Sequence, residues 1–341
     1  MRAIVYTGAG GNEVVTLEER ATPAPVGDDV LVAVRYAGLN PADIAQRNGH
    51  YPAPPGSPPD VPGIEVSGTV IACGPTARRF APGNRVFGLV GGGGLADHVL
   101  VHELHVTGVP EPLDELAAAA VPEAFVTAHD AVLSQAGLRP GELLVVNGAN
   151  GGVGTAAVQI AAAAGARVLA TVRSAELHDA VAALGATVID PAELVPRAQA
   201  EGGADVVLEL VGGPNLDADL LALAAKGRIV IVGTGAGAEA TLDLRKLMGR
   251  RARLLGTMLR ARPLDEKATA MRAFTREVVP HLASGRVAPL VDRVFPADEA
   301  RAALDRMQEP GKLGKVLLDF GRSGAATDAL ARQATPSSSS A

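Results

Sequence analysis

The heptapeptide GANGGVG at 148–154 is the segment whose residue types and spacing best suit chemistry on a ligand. It follows the apolar run Glu142 to Asn147 and precedes an alanine-rich stretch expected to form a helix from near Thr155. Glycines there permit a tight turn and let backbone N–H groups approach a pyrophosphate, whose charge the helix N-terminus favours. A lone glycine-rich string serves equally well as a structural turn. The strand before it and the helix after it favour a dinucleotide site built from Asn150, Gly151, Gly152, Val153 and Gly154. One departure stands out: the first glycine of the usual G-x-G-x-x-G is Ala149.

The type of dinucleotide is read from the next strand. An acidic residue at its end would accept hydrogen bonds from the adenosine ribose hydroxyls. Here Arg167 to Val172 ends without one, and Arg173 and Ser174 follow. A guanidinium suits a 2′-phosphate, so the expected cofactor is NADPH; a solvated loop arginine is the alternative.

Other polar candidates carry less. His98, His102 and His105 lie at i, i+4 and i+7 in LADHVLVHELHV, a β-like segment where alternation rather than helical spacing sets direction. A metal site is not expected from them. His50 flanks Tyr51 in a loop, and Cys73, the single cysteine, suits a buried small hydrophobe.

Three zones must position these groups. Residues 1 to about 120 are short β-like runs broken by Gly and Pro, including 30–34, Glu65 to Cys73 and Asn84 to Val90. From about 123 to 262, apolar strands alternate with alanine-rich helical stretches, as in a parallel α/β sheet. The expected strands are 142–147, 167–172, 204–211, 227–232 and 253–259. An amphipathic stretch 264–283, a strand Val291 to Phe295, a short helix and a strand Lys315 to Asp319 complete the pattern. The polar, aperiodic segment from 322 is expected to be disordered.

Composition narrows the function classes. The chain has 341 residues, 48% of them hydrophobic, which is ample for two globular domains. A net charge of −6 without a basic block argues against nucleic acid and anionic membrane surfaces. A single cysteine rules out an internal disulfide framework. The N-terminus reaches Gly8 before a signal-peptide core forms, so a soluble protein of the cytoplasm is expected.

Several segments resemble the medium-chain dehydrogenase/reductase superfamily, specifically its quinone oxidoreductase branch. They are GLNPADIAQRNGHYPAPPG (38–56), VPGIEVSGTV (61–70), APGNRVFGL (81–89), VTAHDAV (126–132), NGANGGVGTAAVQIA, LGTMLRAR (255–262) and GKVLL (314–318). The resemblance covers nearly all of 1–320. It implies an α/β plus β fold, a doubly wound Rossmann sheet inserted in a GroES-like, mostly β catalytic domain. The bounds would be 1–122 and 263–321 for the catalytic domain and 123–262 for the nucleotide domain, with the nicotinamide held in the cleft between them.

The resemblance also assigns roles. In zinc-dependent relatives a cysteine, the histidine of Gly-His-Glu and a further ligand hold the catalytic metal. Here Asn40 and Ile64 replace the first two, so no metal is expected. Glu65 is expected to remain as a structural acid. Tyr51 is the implied hydrogen-bond donor to a developing oxyanion, or else an aromatic wall. Asn40 and Asp43 line the same site, Asp43 alternatively capping the turn around Pro41. Ala45 stands where many relatives carry a second tyrosine, implying a roomier pocket. Thr127, Gly233, Leu259 and Lys315 join the glycine loop, Arg173 and Ser174 around the cofactor. The strand from Arg253 to Leu259 implies a homodimer. Three functions stay open: reduction of a quinone, reduction of an α,β-unsaturated carbonyl or enoyl thioester, and a non-enzymatic structural or RNA-binding role, which the acidic charge disfavours.

Overall fold

The computed structural model describes residues 1–321, so the segment expected to be disordered from 322 lies outside the described residues. Two compact units divide the chain. Among the described residues the first comprises Met1–Glu103, Arg293–Gln308 and 316–321; the second comprises Leu104–Asp292 with Glu309–Lys315.

The first unit is built on the long strand Asp29–Gly38. It pairs antiparallel with Glu65–Cys73, which in turn pairs with Arg85–Leu89. Its first half also pairs with His98–His102, and its last residues pair with the terminal strand. Register shifts at Leu31/Val32 and Val34/Tyr36 accommodate this double use, because a bulge bends and twists the strand it interrupts. Val30, Val32, Val66, Val86 and Phe87 are completely buried. Burying each such side chain contributes about 1.5–3 kcal/mol against leaving it in water. A short helix, Pro41–Arg47, follows the long strand, with Asn40 extended as its N-cap and Pro41 at its first position. That placement suits proline, whose missing N–H would be unsatisfied there in any case.

The second unit holds a six-stranded parallel sheet. In spatial order its strands are Thr187–Ile189, Arg167–Thr171, Leu143–Asn147, Ala204–Glu209, Leu223–Ile231 and Arg253–Gly256. In chain order this is 3-2-1-4-5-6, the doubly wound arrangement. The order reverses between Leu143–Asn147 and Ala204–Glu209, which pair directly. Ligands of such sheets bind beyond the carboxyl ends of the strands at that reversal. Every residue of Leu143–Asn147 is buried, as a central strand covered on both faces requires.

The elements depart from the sequence reading in specific places. Thr187–Ile189 is an edge strand too short for its periodicity to register. The last strand stops at Gly256, opposite Ile231, where the partner strand also ends; the Thr257 amide makes one further bond to the Ile231 carbonyl at 3.2 Å. The amphipathic stretch is two helices, Leu264–Glu277 and Val279–Ala283. The break at Val278 precedes Pro280, which lacks an N–H to continue the first helix. The helix after the glycine loop begins at Gly152 rather than near Thr155.

Candidate functional site

The glycine loop sits at the end of the central strand, and its conformation shows why small residues are needed. Gly148 adopts φ +75°, a left-handed conformation costly for any side chain. Gly151 is the extended N-cap, and the helix Gly152–Ala163 starts immediately after it. Gly152 and Gly154 lie in the first turn, where the N–H groups of a helix start have no partner within the helix. A Cβ on Gly154 would lie 2.7 Å from the Ala149 Cα and 2.7 Å from the Gly148 carbonyl oxygen. Ala149, itself fully buried, therefore occupies the place of the usual first glycine without opening the cradle. This set of glycines and amides fits a dinucleotide pyrophosphate.

The loop is tied down from a distant part of the chain. Asn150 Nδ2 donates to the Lys312 carbonyl at 2.9 Å, and the Gly314 amide donates to the Asn150 carbonyl at 3.0 Å. A Cβ on Gly152 would meet Lys315 Cδ at 2.6 Å, so the lysine stem crosses the start of the helix and fixes glycine there. Lys315 is itself buried, with its stem against Gly152. Gly233 leaves no room for a side chain against the Leu210 backbone. Thr127 is buried on the helix Pro122–His129, its hydroxyl donating to Glu123 at 3.3 Å.

Beyond the neighbouring strand, Val172 is buried, Arg173 is exposed and Ser174 is half-buried. The Val172 backbone is held from both sides: its amide donates to the Ile189 carbonyl at 3.0 Å and its carbonyl lies 2.9 Å from His178 Nε2. The arginine thus projects from a fixed strand end.

Leu259, expected at the end of a strand over 253–259, is buried in the loop that follows the strand Arg253–Gly256. Arg262 donates to both Asp130 oxygens, at 3.0 and 2.5 Å, and Thr257 adds a third bond at 3.1 Å. The paired carboxylate lifts the Arg262 pKa above its ordinary value. Removing one partner of so enclosed a pair costs about 3–5 kcal/mol. Asp130 opens a π-helical segment, Asp130–Gln135, a local widening often found at functional sites. Lys267, whose pKa burial pushes down, donates to the Arg260 carbonyl at 2.9 Å and closes the other end of the loop.

In the first unit the polar candidates form a buried group. Asp43 Oδ2 accepts the Asn40 amide at 2.8 Å and its Oδ1 accepts the Gly63 amide at 2.9 Å. Both oxygens hold backbone: the first bond belongs to the capping box of the helix Pro41–Arg47, and the second ties that helix start to the segment at 61–64. Asn40 Nδ2 donates to Glu65 Oε1 at 2.9 Å and to the Gly38 carbonyl at 3.2 Å. Glu65 is fully buried, and Ile64 packs beside it with 2% of its surface exposed. Tyr51 lies half-buried in the turn after the helix Pro41–Arg47, away from that buried group along the chain.

The histidines are engaged separately. His98 Nδ1 lies 2.8 Å from Asp97, His102 Nε2 is 3.8 Å from Asp28, and His105 Nε2 is 3.1 Å from the Leu264 carbonyl. Among the described residues no group of three or more His, Cys, Asp or Glu side chains is disposed to hold a metal ion.

One polar cluster escaped the sequence reading: Asn147, Thr171, Glu209 and Asp219 meet beneath the ends of three adjacent strands. The only signal was a glutamate closing the apolar run ValValLeuGlu.

Residues 26–111 match the family model for the alcohol dehydrogenase GroES-like domain, and residues 152–276 match that for the zinc-binding dehydrogenase. The chain is 32% identical over 327 residues to the quinone oxidoreductase of Rattus norvegicus, covering 93% of this chain and 97% of that one. It is 35% identical over 327 residues, 91% of this chain, to 14% of the spectinabilin polyketide synthase system protein NorB of Streptomyces orinoci. Among solved structures, the quinone oxidoreductase of Thermus thermophilus, described also in complex with NADPH, superposes with a TM-score of 0.82 at 36% identity. That match covers 94% of this chain and 100% of the other.

Proposed function

The chain belongs to the quinone oxidoreductase branch of the medium-chain dehydrogenase/reductase superfamily, and from that premise we propose an NADPH-dependent reductase that delivers hydride to a quinone without a metal ion. One observation carries the metal-free part: Ile64, a buried aliphatic side chain, stands where a Gly-His-Glu histidine would bind zinc. The residues matched to the zinc-binding dehydrogenase family begin at 152, well past Asn40 and Ile64. A quinone is already electron-poor, so it accepts hydride without Lewis-acid polarisation.

NADPH supplies the hydride when bound; the protein binds, orients and stabilises. The amides of Asn150 to Gly154 receive the pyrophosphate, and Arg173 with Ser174 receives the 2′-phosphate. Thr127, Gly233, Leu259 and Lys315 complete the cofactor-binding set. Tyr51 donates a hydrogen bond to the oxyanion that develops on the acceptor. Asp43 holds Asn40 and Gly63 in place through its two backbone hydrogen bonds. Asn40 is oriented in turn by Glu65.

The relation to a segment of a polyketide synthase protein favours a second reading, reduction of an α,β-unsaturated carbonyl or enoyl thioester. Monitoring NADPH oxidation by the purified protein against quinones, simple enones and an enoyl-CoA separates the two. Turnover of quinones well above that of the others supports the first reading, and the reverse order replaces it with the second.

Arg173→Ala is expected to reduce the preference for NADPH over NADH by about ten- to a hundredfold. That is the worth of one charge-assisted hydrogen bond, about 1.5–3 kcal/mol. Titration of both cofactors against parent and variant checks it; unchanged discrimination would move the phosphate site elsewhere.

The sheet edge supports reading the protein as a homodimer. Among the described residues Arg253–Gly256 pairs only with Leu223–Ile231 in the sheet, leaving its other edge open. Leu254 is 38% exposed and Met258 53%, and on the adjoining helix Leu244 is 62% and Met248 73% exposed. A bare strand edge flanked by apolar side chains is a template for pairing, and a two-fold partner would cover it. Sedimentation at micromolar concentration is expected to show a dimer; a monomer alone would refute this. Among the described residues no helix is long and apolar enough to cross a membrane.

A further inference from the structure

The buried cluster beneath the strand ends has no place in the cofactor contacts above, yet it touches both loops that flank the reversal in strand order. Asn147 Nδ2 donates to Glu209 Oε2 and to Asp219 Oδ1, each at 2.7 Å. Asn147 Oδ1 accepts from Thr171 Oγ1 at 3.1 Å, and that hydroxyl accepts the Gly148 amide at 3.4 Å. Glu209 Oε1 accepts the amides of Val211 and Gly212 at 2.5 and 2.6 Å, and Asn215 Nδ2 donates to Oε2 at 3.2 Å. The chain of bonds therefore runs from the first glycine of the loop at 148–154 to the backbone of the loop at 211–215. Asn147, Glu209 and Asp219 are each at most 1% exposed.

The hydrogen count within the cluster is uneven. Glu209 accepts four donors, enough for an ionised carboxylate. Asp219 accepts only one, from the amide it shares with Glu209, and its Oδ2 is buried with no donor in reach among the described residues. Two ionised carboxylates in a dry site sharing one amide would repel strongly. A proton on Asp219 removes the repulsion and gives the orphaned oxygen a hydrogen of its own.

We propose that Asp219 carries a proton in the folded protein, and that the Glu209–Asp219 pair so completed positions the loops at 148–154 and 211–215 for the cofactor. Asp219 and Glu209 are positioning residues that act through Asn147 and the loop amides. Loss of the proton sets the two carboxylates against each other and loosens the Val211 and Gly212 anchors. This rests on the reading of the glycine loop as the NADPH site.

The electrostatics agree with the geometry. Burial, then the charge of Glu209, pushes the Asp219 carboxyl from its ordinary 3.8 up to about 8. Other charges on the surrounding elements are engaged elsewhere or exposed. Lys246 pairs with Asp217, Arg250 donates to the Leu221 carbonyl, and Arg228 pairs with Glu142. Arg197, Lys226 and Arg245 face solvent. In the unfolded chain Asp219 releases its proton near its ordinary value, whereas the folded chain keeps it until about pH 8. Between those limits the folded state binds the extra proton, so this group's contribution to stability declines as pH rises and levels off above about 8.

The test compares the parent with Asp219→Asn, which mimics the protonated carboxyl, and with Glu209→Gln, over a range of about pH 5.5 to 9.5. Hydrogen exchange at the Gly148, Val211 and Gly212 amides, corrected for intrinsic rate, is measured with the thermal midpoint and the NADPH affinity. In the parent, protection of these amides is expected to fall about tenfold or more across pH 8, and NADPH affinity to fall about tenfold with it, since one pKa unit corresponds to tenfold. Asp219→Asn is expected to show neither step, and its melting advantage over the parent should grow with pH and then plateau. Glu209→Gln, which removes the opposing charge, should shift the step to lower pH. Parallel exchange and melting profiles for parent and Asp219→Asn would overturn the proposal, as would an unmoved step in Glu209→Gln should the first variant not fold. If none of the proteins binds NADPH at any pH, the cofactor reading fails, and the exchange and melting profiles still decide where the proton resides.

Discussion

Gly154→Val is expected to weaken NADPH binding by about a thousandfold or more, the largest effect of any single change considered for this chain. The reason is local and steric. Gly154 lies in the first turn of the helix Gly152–Ala163, and the atoms its side chain would strike are backbone atoms of Gly148 and Ala149. Backbone cannot swing aside as a flexible side chain can, so the turn must open or the helix must shift. Overpacking of this kind costs about 1–3 kcal/mol by itself. Displacing the amides that meet the phosphates adds charge-assisted hydrogen bonds of about 1.5–3 kcal/mol each, and about 4 kcal/mol in total corresponds to a thousandfold. Cofactor titration, with circular dichroism to show that the variant is folded, provides the check. Gly154→Ala should fall between parent and valine variant. Binding by a folded valine variant within tenfold of the parent would mean that the phosphates are held elsewhere.

Tyr51→Phe is expected to lower kcat for an enone by about ten- to a thousandfold while leaving NADPH affinity unchanged, the range seen on removing one oxyanion donor or general acid. The loss should be smaller for a quinone. Its hydroquinone anion is intrinsically stable and draws little help from a donor, whereas the enolate of an enone is basic. The variant therefore reports on the substrate class as well as on the residue. Equal, near-parent rates on both substrates would reduce Tyr51 to a wall of the pocket.

Much of the architecture was legible because it follows from pattern and turn chemistry. The run of Leu143 to Asn147, then the glycines, then alanines, announces a strand, a tight turn and a helix in order. The 3-2-1-4-5-6 sheet was only partly visible, since Thr187–Ile189 is three residues long and borrows its conformation from the neighbouring strand. That Ile64 stands where zinc-dependent relatives carry a histidine was implied by the resemblance to the family. Its burial in the core adds that an aliphatic group is what the surrounding packing holds.

Side-chain pairings over long separations were not legible. Asp130 and Arg262 lie 132 residues apart, and Asn147 and Asp219 lie 72 apart. Neither pair shares a local spacing that a helix or strand period would reveal. The two oxygens of Asp43 illustrate the same limit. One bond follows from the N-cap position, but the bond to Gly63 exists only because the fold brings 61–64 against the helix start.

The central claim, reduction by NADPH without a metal, is tested most directly by measuring metal content and NADPH oxidation on one sample of protein treated with a strong chelator. The account predicts no stoichiometric zinc and undiminished oxidation of NADPH with a quinone or an enone as acceptor. One zinc ion per chain, with activity lost on its removal and restored on its return, would contradict it.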